Sequence, residues 1–190
     1  MATSAAPSMR YVVDTRMSQF TVQAFASGLI SAVAHSPKIA IRDWTGIAKV
    51  ASNALDNASL RVQIKASSLE VLDELRDADR RELHRVMNHD VLETGRFPEV
   101  VYESSEIRAE KLKEDSYRLS VRGRLSLHGV SNEQDLVAQV ALGVDSARAH
   151  GSFTLLQSDY DIRIASIAGG TLKLQDELKF YFYVVARRSE

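Results

Sequence analysis

The stretch Tyr117-Arg118-Leu119-Ser120-Val121-Arg122-Gly123-Arg124-Leu125-Ser126-Leu127-His128 decides the fold. Leu119, Val121, Gly123, Leu125 and Leu127 alternate with Ser120, Arg122, Arg124 and Ser126, and only a period of two sorts these residues into two consistent faces. Asp135–Leu142, Gly151–Asp159 and Leu178–Ala186 repeat the pattern, each as a strand with one apolar face. Successive strands of this kind describe a closed, mainly antiparallel all-β barrel with an apolar inside.

Upstream, Gln19–Ala26 places Phe20, Val22 and Ala24 on one face against Thr21, Gln23 and Phe25 on the other. Leu29–Ala34 reads as a small-residue connection after Gly28. It leads into Lys38–Val50, where Ile39 and Ile41 alternate before Trp44 and Gly46 bend the strand. Leu60, Val62 and Ile64 alternate with Arg61, Gln63 and Lys65, and Asn53–Asn57 supplies turn chemistry between the two runs.

The period changes near Asp77. Leu83, Val86 and Met87 fall at helical spacing, and Asp79 followed by Glu82 suits a helix start, so one short helix is expected over Arg80–His89. With nothing helical to pack on, its apolar stripe should close one barrel end or cover a sheet edge. Phe97-Pro98 then ends the helical region and launches a strand over Val100–Ser105. Lys111–Asp115 reads as a hairpin loop, Val130–Glu133 as a turn, and Gly169-Gly170 as a hairpin or loop signal.

Composition excludes several function classes. At 190 residues with 45% hydrophobic content, the chain suits one domain with a full core, expected over 11–188 after a frayed tail at 1–10. Its 24 Lys plus Arg against 25 Asp plus Glu create no field that would gather nucleic acid or anionic lipid surfaces. The absence of cysteine removes disulfides, thiolate catalysis and Cys-based metal sites. Met1–Arg10 lacks the apolar run of a secretory signal, and Ala24–Ala34, interrupted by Ser27, Gly28 and Ser31, is too short to span a bilayer. A cytoplasmic location without a membrane span is the expectation.

The helix is followed by Gly95-Arg96-Phe97-Pro98-Glu99-Val100-Val101-Tyr102-Glu103-Ser104-Ser105, then Leu125-Ser126-Leu127-His128-Gly129-Val130-Ser131, then Gln157-Ser158-Asp159-Tyr160, with a terminal strand over Asp176–Ala186. In this order and spacing, spanning almost the whole chain, the segments resemble the YceI-like family of lipid-binding proteins. The resemblance implies an extended lipocalin-like, eight-stranded barrel whose interior holds a long isoprenoid or similar amphiphile: binding, storage or transport rather than chemistry. Relatives often carry a signal peptide and work in the periplasm. They often show Phe-Gly where this chain has Tyr160-Asp161, and some show His-x-His where it has His35-Ser36-Pro37.

An eight-stranded barrel can be filled by side chains or hold one small ligand. The inward set mixes Phe20, Phe153, Phe180 and Phe182 with Ala24, Gly123, Ala138 and Gly151, which fits either state; the resemblance favours a cavity. A cavity would be lined by Phe20, Val22, Ile39, Ile41, Leu60, Val62, Val100, Tyr102, Leu119, Val121, Leu125, Leu127, Val140, Phe153, Leu178, Phe180 and Phe182. Each buried methylene of an isoprenoid or fatty-acid-like ligand contributes about 0.8 kcal/mol, so few polar contacts are needed.

Catalytic patterns are sparse. His84 and His89 lack the His-Glu-x-x-His frame, and His35, His128 and His150 lie far apart in sequence. Asp159 and Asp161 share one face of the strand expected there, without an identified cleft. Ser36, Ser104 and Ser126 lack a nucleophile-elbow context. No catalytic residue, metal or cofactor is therefore expected. His35, His128 and Asp161 are the candidates for contact with a ligand head group, His128 also marking a strand-to-turn transition. Two alternatives stay open: a ligand-free structural or stress-response barrel associating through Tyr181, Tyr183 and Phe25, and an enzyme acting on a bound amphiphile. Edge strands of an incompletely closed barrel suggest a homodimer.

Overall fold

The alternation at residues 117–127 becomes a strand, β8 (Ser116–Leu127), whose Val121, Gly123 and Leu125 are buried while Ser120, Arg122 and Arg124 are exposed. The computed structural model describes residues 8–27, 37–51, 54–163, 166–167 and 172–189. In chain order the other strands are β1 (Ser8–Val13), β2 (Gln19–Ser27), β3 (Lys38–Ile41), β4 (Trp44–Ala51), β5 (Ala54–Lys65), β6 (Leu69–Val71) and β7 (Glu99–Lys113). After β8 come β9 (Val130–Glu133), β10 (Leu136–Leu142), β11 (Ser146–Leu156), β12 (Ser166–Ile167) and β13 (Leu172–Ser189).

All pairings are antiparallel, in the ring order β1-β4-β5-β7-β8-β10-β11-β13, and β13 closes back onto β1 through Arg10↔Ser189 to Val13↔Ala186. The result is a closed eight-stranded barrel. Closure pairs four residues of β1, Arg10 to Val13, with β13 and removes the long sheet edges that invite pairing with a second chain. The strand path runs past the seam as β13-β2-β3-β6 and ends on the three-residue β6.

Three staves of the barrel are broken strands. β1 and β2 lie end to end along β13, and Ser18 bridges their break: its Oγ–H donates to the Asp14 carbonyl at 2.7 Å and its Oγ accepts the Val185 N–H at 2.9 Å. β3 and β4 are divided at Arg42-Asp43, beside the 3-10 turn Ala66–Ser68 that divides β5 from β6. There the Lys65 N–H donates to Asp43 and the Arg42 N–H to Ser68, at 3.0 and 3.2 Å. Lys38–Val50 is thus two strands rather than one.

One helix, α1 (Asp77–Val86), runs into a π-helical turn at Met87–Val91, closed by the Leu92 N–H donating to the Met87 carbonyl at 2.9 Å. The helix starts three residues before the expected Arg80. The expected Asp79–Glu82 cap does not form: Arg76 occupies the cap position with no side-chain cap bond, Asp79 accepts from Arg76 at 2.7 Å, and Glu82 pairs with Arg85 at 2.8 Å. Leu83, Val86, Met87, Val91 and Leu92 all face the barrel interior, so this segment closes one end.

Other boundaries shift for tertiary reasons. Lys111–Lys113 belong to β7, and the hairpin turn is Glu114-Asp115, with Asp115 at φ 55°. Val130–Glu133 is strand, because the two-residue turn is His128-Gly129 at φ 52° and 79°, the positive pair that matches hairpin twist. Residues Ala54 to Asn57 belong to β5, where Asp56 Oδ1 accepts the Ala109 N–H beyond the last β5–β7 pair. Ser8–Arg10 are strand rather than tail. β11 ends at Leu156, and Gln157–Tyr160 form a 3-10 turn followed by Asp161 at φ 54°, so Asp159 and Asp161 share no strand face. Leu29–Ala34, His35 and Gly169-Gly170 lie outside the described residues.

Candidate ligand-binding cavity

Period-two alternation aims one face of every stave inward, and the inward residues do not fill the space they enclose. A cavity of about 350 Å³ runs inside the barrel, within the range typical of small-molecule sites. Its hollowness also shows in single residues: Leu60, Val62, Leu119, Phe153, Leu178 and Phe180 point inward yet remain only half-buried. An inward side chain in a closed barrel keeps accessible area when the interior holds free volume.

The structure places every residue expected to line a cavity on this wall: Phe20 and Val22 from β2, Ile39 and Ile41 from β3, and Leu60 and Val62 from β5. Val100 and Tyr102 come from β7, Leu119, Val121, Leu125 and Leu127 from β8, Val140 from β10, Phe153 from β11, and Leu178, Phe180 and Phe182 from β13. An aromatic ridge crosses one side. Trp44 meets Phe20 edge-on at 5.5 Å, Phe20 meets Phe180 at 6.2 Å, and Phe180 stacks on Phe153 at 4.7 Å.

Two glycines let large rings lie against the sheet. A Cβ on Gly123 would sit 2.5 Å from the Tyr102 ring, and one on Gly151 would sit 2.6 Å from Phe182 and 2.4 Å from the Val137 carbonyl. Tyr102 is buried at the wall and its hydroxyl donates to the Gln134 carbonyl at 3.1 Å. Burial pushes its phenol pKa upward, with the Asp135 charge adding to the effect. The phenol is therefore a neutral wall group.

Of the head-group candidates, His128 and Asp161 fall elsewhere, and His35 lies outside the described residues. His128 lines a junction between loops: its ring is almost wholly buried, centred 4.5 Å from that of Phe97, with Nδ1 3.1 Å from the Tyr160 carbonyl and Nε2 3.5 Å from a Glu93 carboxylate oxygen. Because a carbonyl only accepts, Nδ1 carries the proton. His128 thereby ties the turn after β8 to the Gln157–Tyr160 turn and to the loop after α1. It marks the strand-to-turn transition after β8, as expected, but its ring is buried and does not line the cavity. Asp161 is exposed and lies off the wall as well. Tyr181 and Tyr183 are exposed on the outer face of β13, with the Lys179 ammonium 5.2 Å over the Tyr181 ring.

Sequence reasoning missed part of the wall. Ile107 enters because a bulge between Ser104 and Glu106 re-phases β7, so that Tyr102 and Ile107, five residues apart, both point inward. Trp44, expected only to bend the strand, follows the break between β3 and β4 and also buries its ring at the wall. Gln157 and Gln134 are the amide-bearing residues among the described lining, otherwise aliphatic and aromatic. Among the described residues no three His, Asp or Glu side chains converge as a metal site, and no helix is long and apolar enough to cross a membrane.

A family model for the YceI-like domain matches residues 11–186. No curated protein matches the chain. Among solved structures, BcnA of Burkholderia cenocepacia superposes with a TM-score of 0.68 at 16% identity, over 91% of this chain and 98% of that one. A polyisoprenoid-binding domain from Saccharophagus degradans, implicated in plant cell wall breakdown, gives 0.68 at 13% identity over 94% and 98%. The YceI protein of Campylobacter jejuni gives 0.60 at 17% identity over 83% and 88%. These structures share the fold, and with the domain match running from the first barrel strand to the last, the chain belongs to the YceI-like domain family.

Proposed function

We propose that this protein binds a long-chain isoprenoid or similar amphiphilic lipid inside the barrel and acts as its carrier or store, with no chemistry of its own. The observation that carries the reading is the apolar cavity of about 350 Å³ inside a closed barrel. If left dry, a void of that size costs on the order of 8 kcal/mol, comparable to the whole stability of a typical domain. A hydrocarbon chain returns that cost through about 0.8 kcal/mol per buried methylene. The description of the Saccharophagus degradans relative as polyisoprenoid-binding supports the ligand class.

The test is mass spectrometry of an organic extract of the protein, purified without detergent and compared with an unrelated protein from the same host. It is joined to titration of the delipidated protein with geranylgeraniol. Trp44, the single tryptophan of the chain, lies on the cavity wall and reports occupancy by its fluorescence. A stoichiometric lipid in the extract, or saturable quenching by the added alcohol, is the expected result. An empty extract together with no quenching up to the solubility limit would overturn the proposal in favour of a ligand-free barrel.

A further inference from the structure

The Gln157 side chain is a buried polar group on an apolar wall, only 4% exposed. It stands where β11 ends and the chain coils into the 3-10 turn, and its amide is fixed from one side. Nε2 donates to the Gln175 carbonyl at 2.9 Å and lies 3.5 Å from that of Asp176, both on β13. Two carbonyls can only accept, so the NH₂ group must be the end facing β13. Next to it, the Ser158 N–H donates to Asp176 Oδ1 at 2.8 Å and the Ser158 hydroxyl to Oδ2, clamping the turn against the strand. The Gln157 backbone carbonyl is occupied too, accepting from Ile162 at 3.1 Å.

This leaves Oε1, which has no hydrogen-bond partner among the described residues. It is not sealed inside protein either: the sealed, unpartnered side-chain atom among the described residues is His128 Nε2. A nearly buried amide on the wall of a hollow thus keeps an open acceptor. The other amide-bearing residue of the wall, Gln134, is not buried: its Nε2 donates to the Asp135 carbonyl in an exposed hydrogen bond, and its backbone carbonyl accepts from Tyr102.

We infer that Gln157 Oε1 accepts a hydrogen bond from the polar end of the ligand, so that the cavity selects amphiphiles carrying a donor, such as long-chain alcohols or primary amides, over ethers, esters and quinones of equal length. The inference rests on the lipid-binding reading above. A donor-bearing ligand satisfies the buried carbonyl, whereas an acceptor-only ligand leaves it unpaired and sets a second oxygen against it.

The test compares geranylgeraniol with its O-methyl ether by Trp44 fluorescence, in the wild type and in Gln157→Met, which keeps the length of the side chain and removes its acceptor. Ligand solvation cancels between the two proteins. The alcohol should bind about tenfold more weakly to the variant, while the ether stays within twofold. Equal affinities of the alcohol for both proteins would overturn the inference and leave the lipid-binding reading standing; binding of neither ligand to the wild type would overturn both. Should the variant fail to fold, wild-type protein labelled with ¹³C at the glutamine side-chain carbonyls decides the matter by infrared difference spectra. Geranylgeraniol should lower one carbonyl stretch that the ether leaves unchanged, and identical spectra for the two ligands would refute the assignment.

Discussion

Ala149→Leu asks whether the barrel interior is hollow or filled. Ala149 sits on β11 between Val140 of β10 and Val184 of β13, lines the cavity, and is only half-buried although it points inward. The substitution adds three carbons. In a hollow interior they are buried in vacant space, worth roughly 2.4 kcal/mol in transfer free energy at 0.8 per carbon. Fixing the leucine side chain removes about 0.5–1 kcal/mol of that. The delipidated variant should therefore be more stable than wild type by about 1.5 kcal/mol, a rise of roughly 3–6 °C in melting temperature for a chain of this size. The same three carbons displace three from a ligand, weakening geranylgeraniol binding by up to roughly 50-fold. Thermal melts by circular dichroism and Trp44 fluorescence titration read the two effects. A filled core gives the opposite sign, a loss of about 1–3 kcal/mol from overpacking. A destabilised variant with unchanged ligand affinity would refute the hollow barrel.

Two further outcomes follow from the closed end. The Asp176 carboxyl is held below its ordinary value near 3.8, first by the Ser158 hydroxyl and then by the Ser158 N–H, so its contribution is present above that pH and is lost as pH falls through the lower folded-state value. Urea midpoints should show wild type more stable than Asp176→Asn at pH 6, with the gap closing below about pH 3.8; a gap independent of pH would contradict this assignment. Asp14, lowered by its hydrogen bond with Arg187, titrates in the same window but is common to both proteins and cancels. His128→Asn keeps a residue that tolerates φ 52° while removing the ring from its place between Phe97, Tyr160 and Glu93. It should cost about 2 kcal/mol in urea denaturation and leave lipid affinity within twofold, since the ring does not touch the cavity. A large loss of affinity would place His128 in the binding site after all.

Much of the barrel was legible because its information is local. On β8, Val121 and Leu125 are buried and Arg122 and Arg124 exposed as their alternation requires, since the pleat alone fixes which side each faces. The inward sets of β2, β5 and β13 were readable in the same way. The helix was legible in kind but not in its start, because a stripe of Leu83, Val86 and Met87 defines a face without defining the first turn. Ile107 was not readable: the bulge that turns it inward arises from the β7–β8 register, which no single strand encodes. His128 looked like a turn residue and is one. Its burial comes from Phe97 and Tyr160, both about thirty residues away in sequence.

By itself, then, the sequence determined an antiparallel barrel, the residues on its inner face and the presence of one helix, because periods of two and of 3.6 are written into neighbouring residues. Tertiary structure alone decided that β13 closes onto β1, that a cavity remains, that α1 and the π turn cover one end, and that Gln157 rather than His128 or Asp161 stands at the wall. Free volume and closure depend on which distant strands pair, in what register and with what ring opposite what glycine. Phe182 over Gly151 and Tyr102 over Gly123 are such pairs, and neither strand of either pair carries that information without its partner.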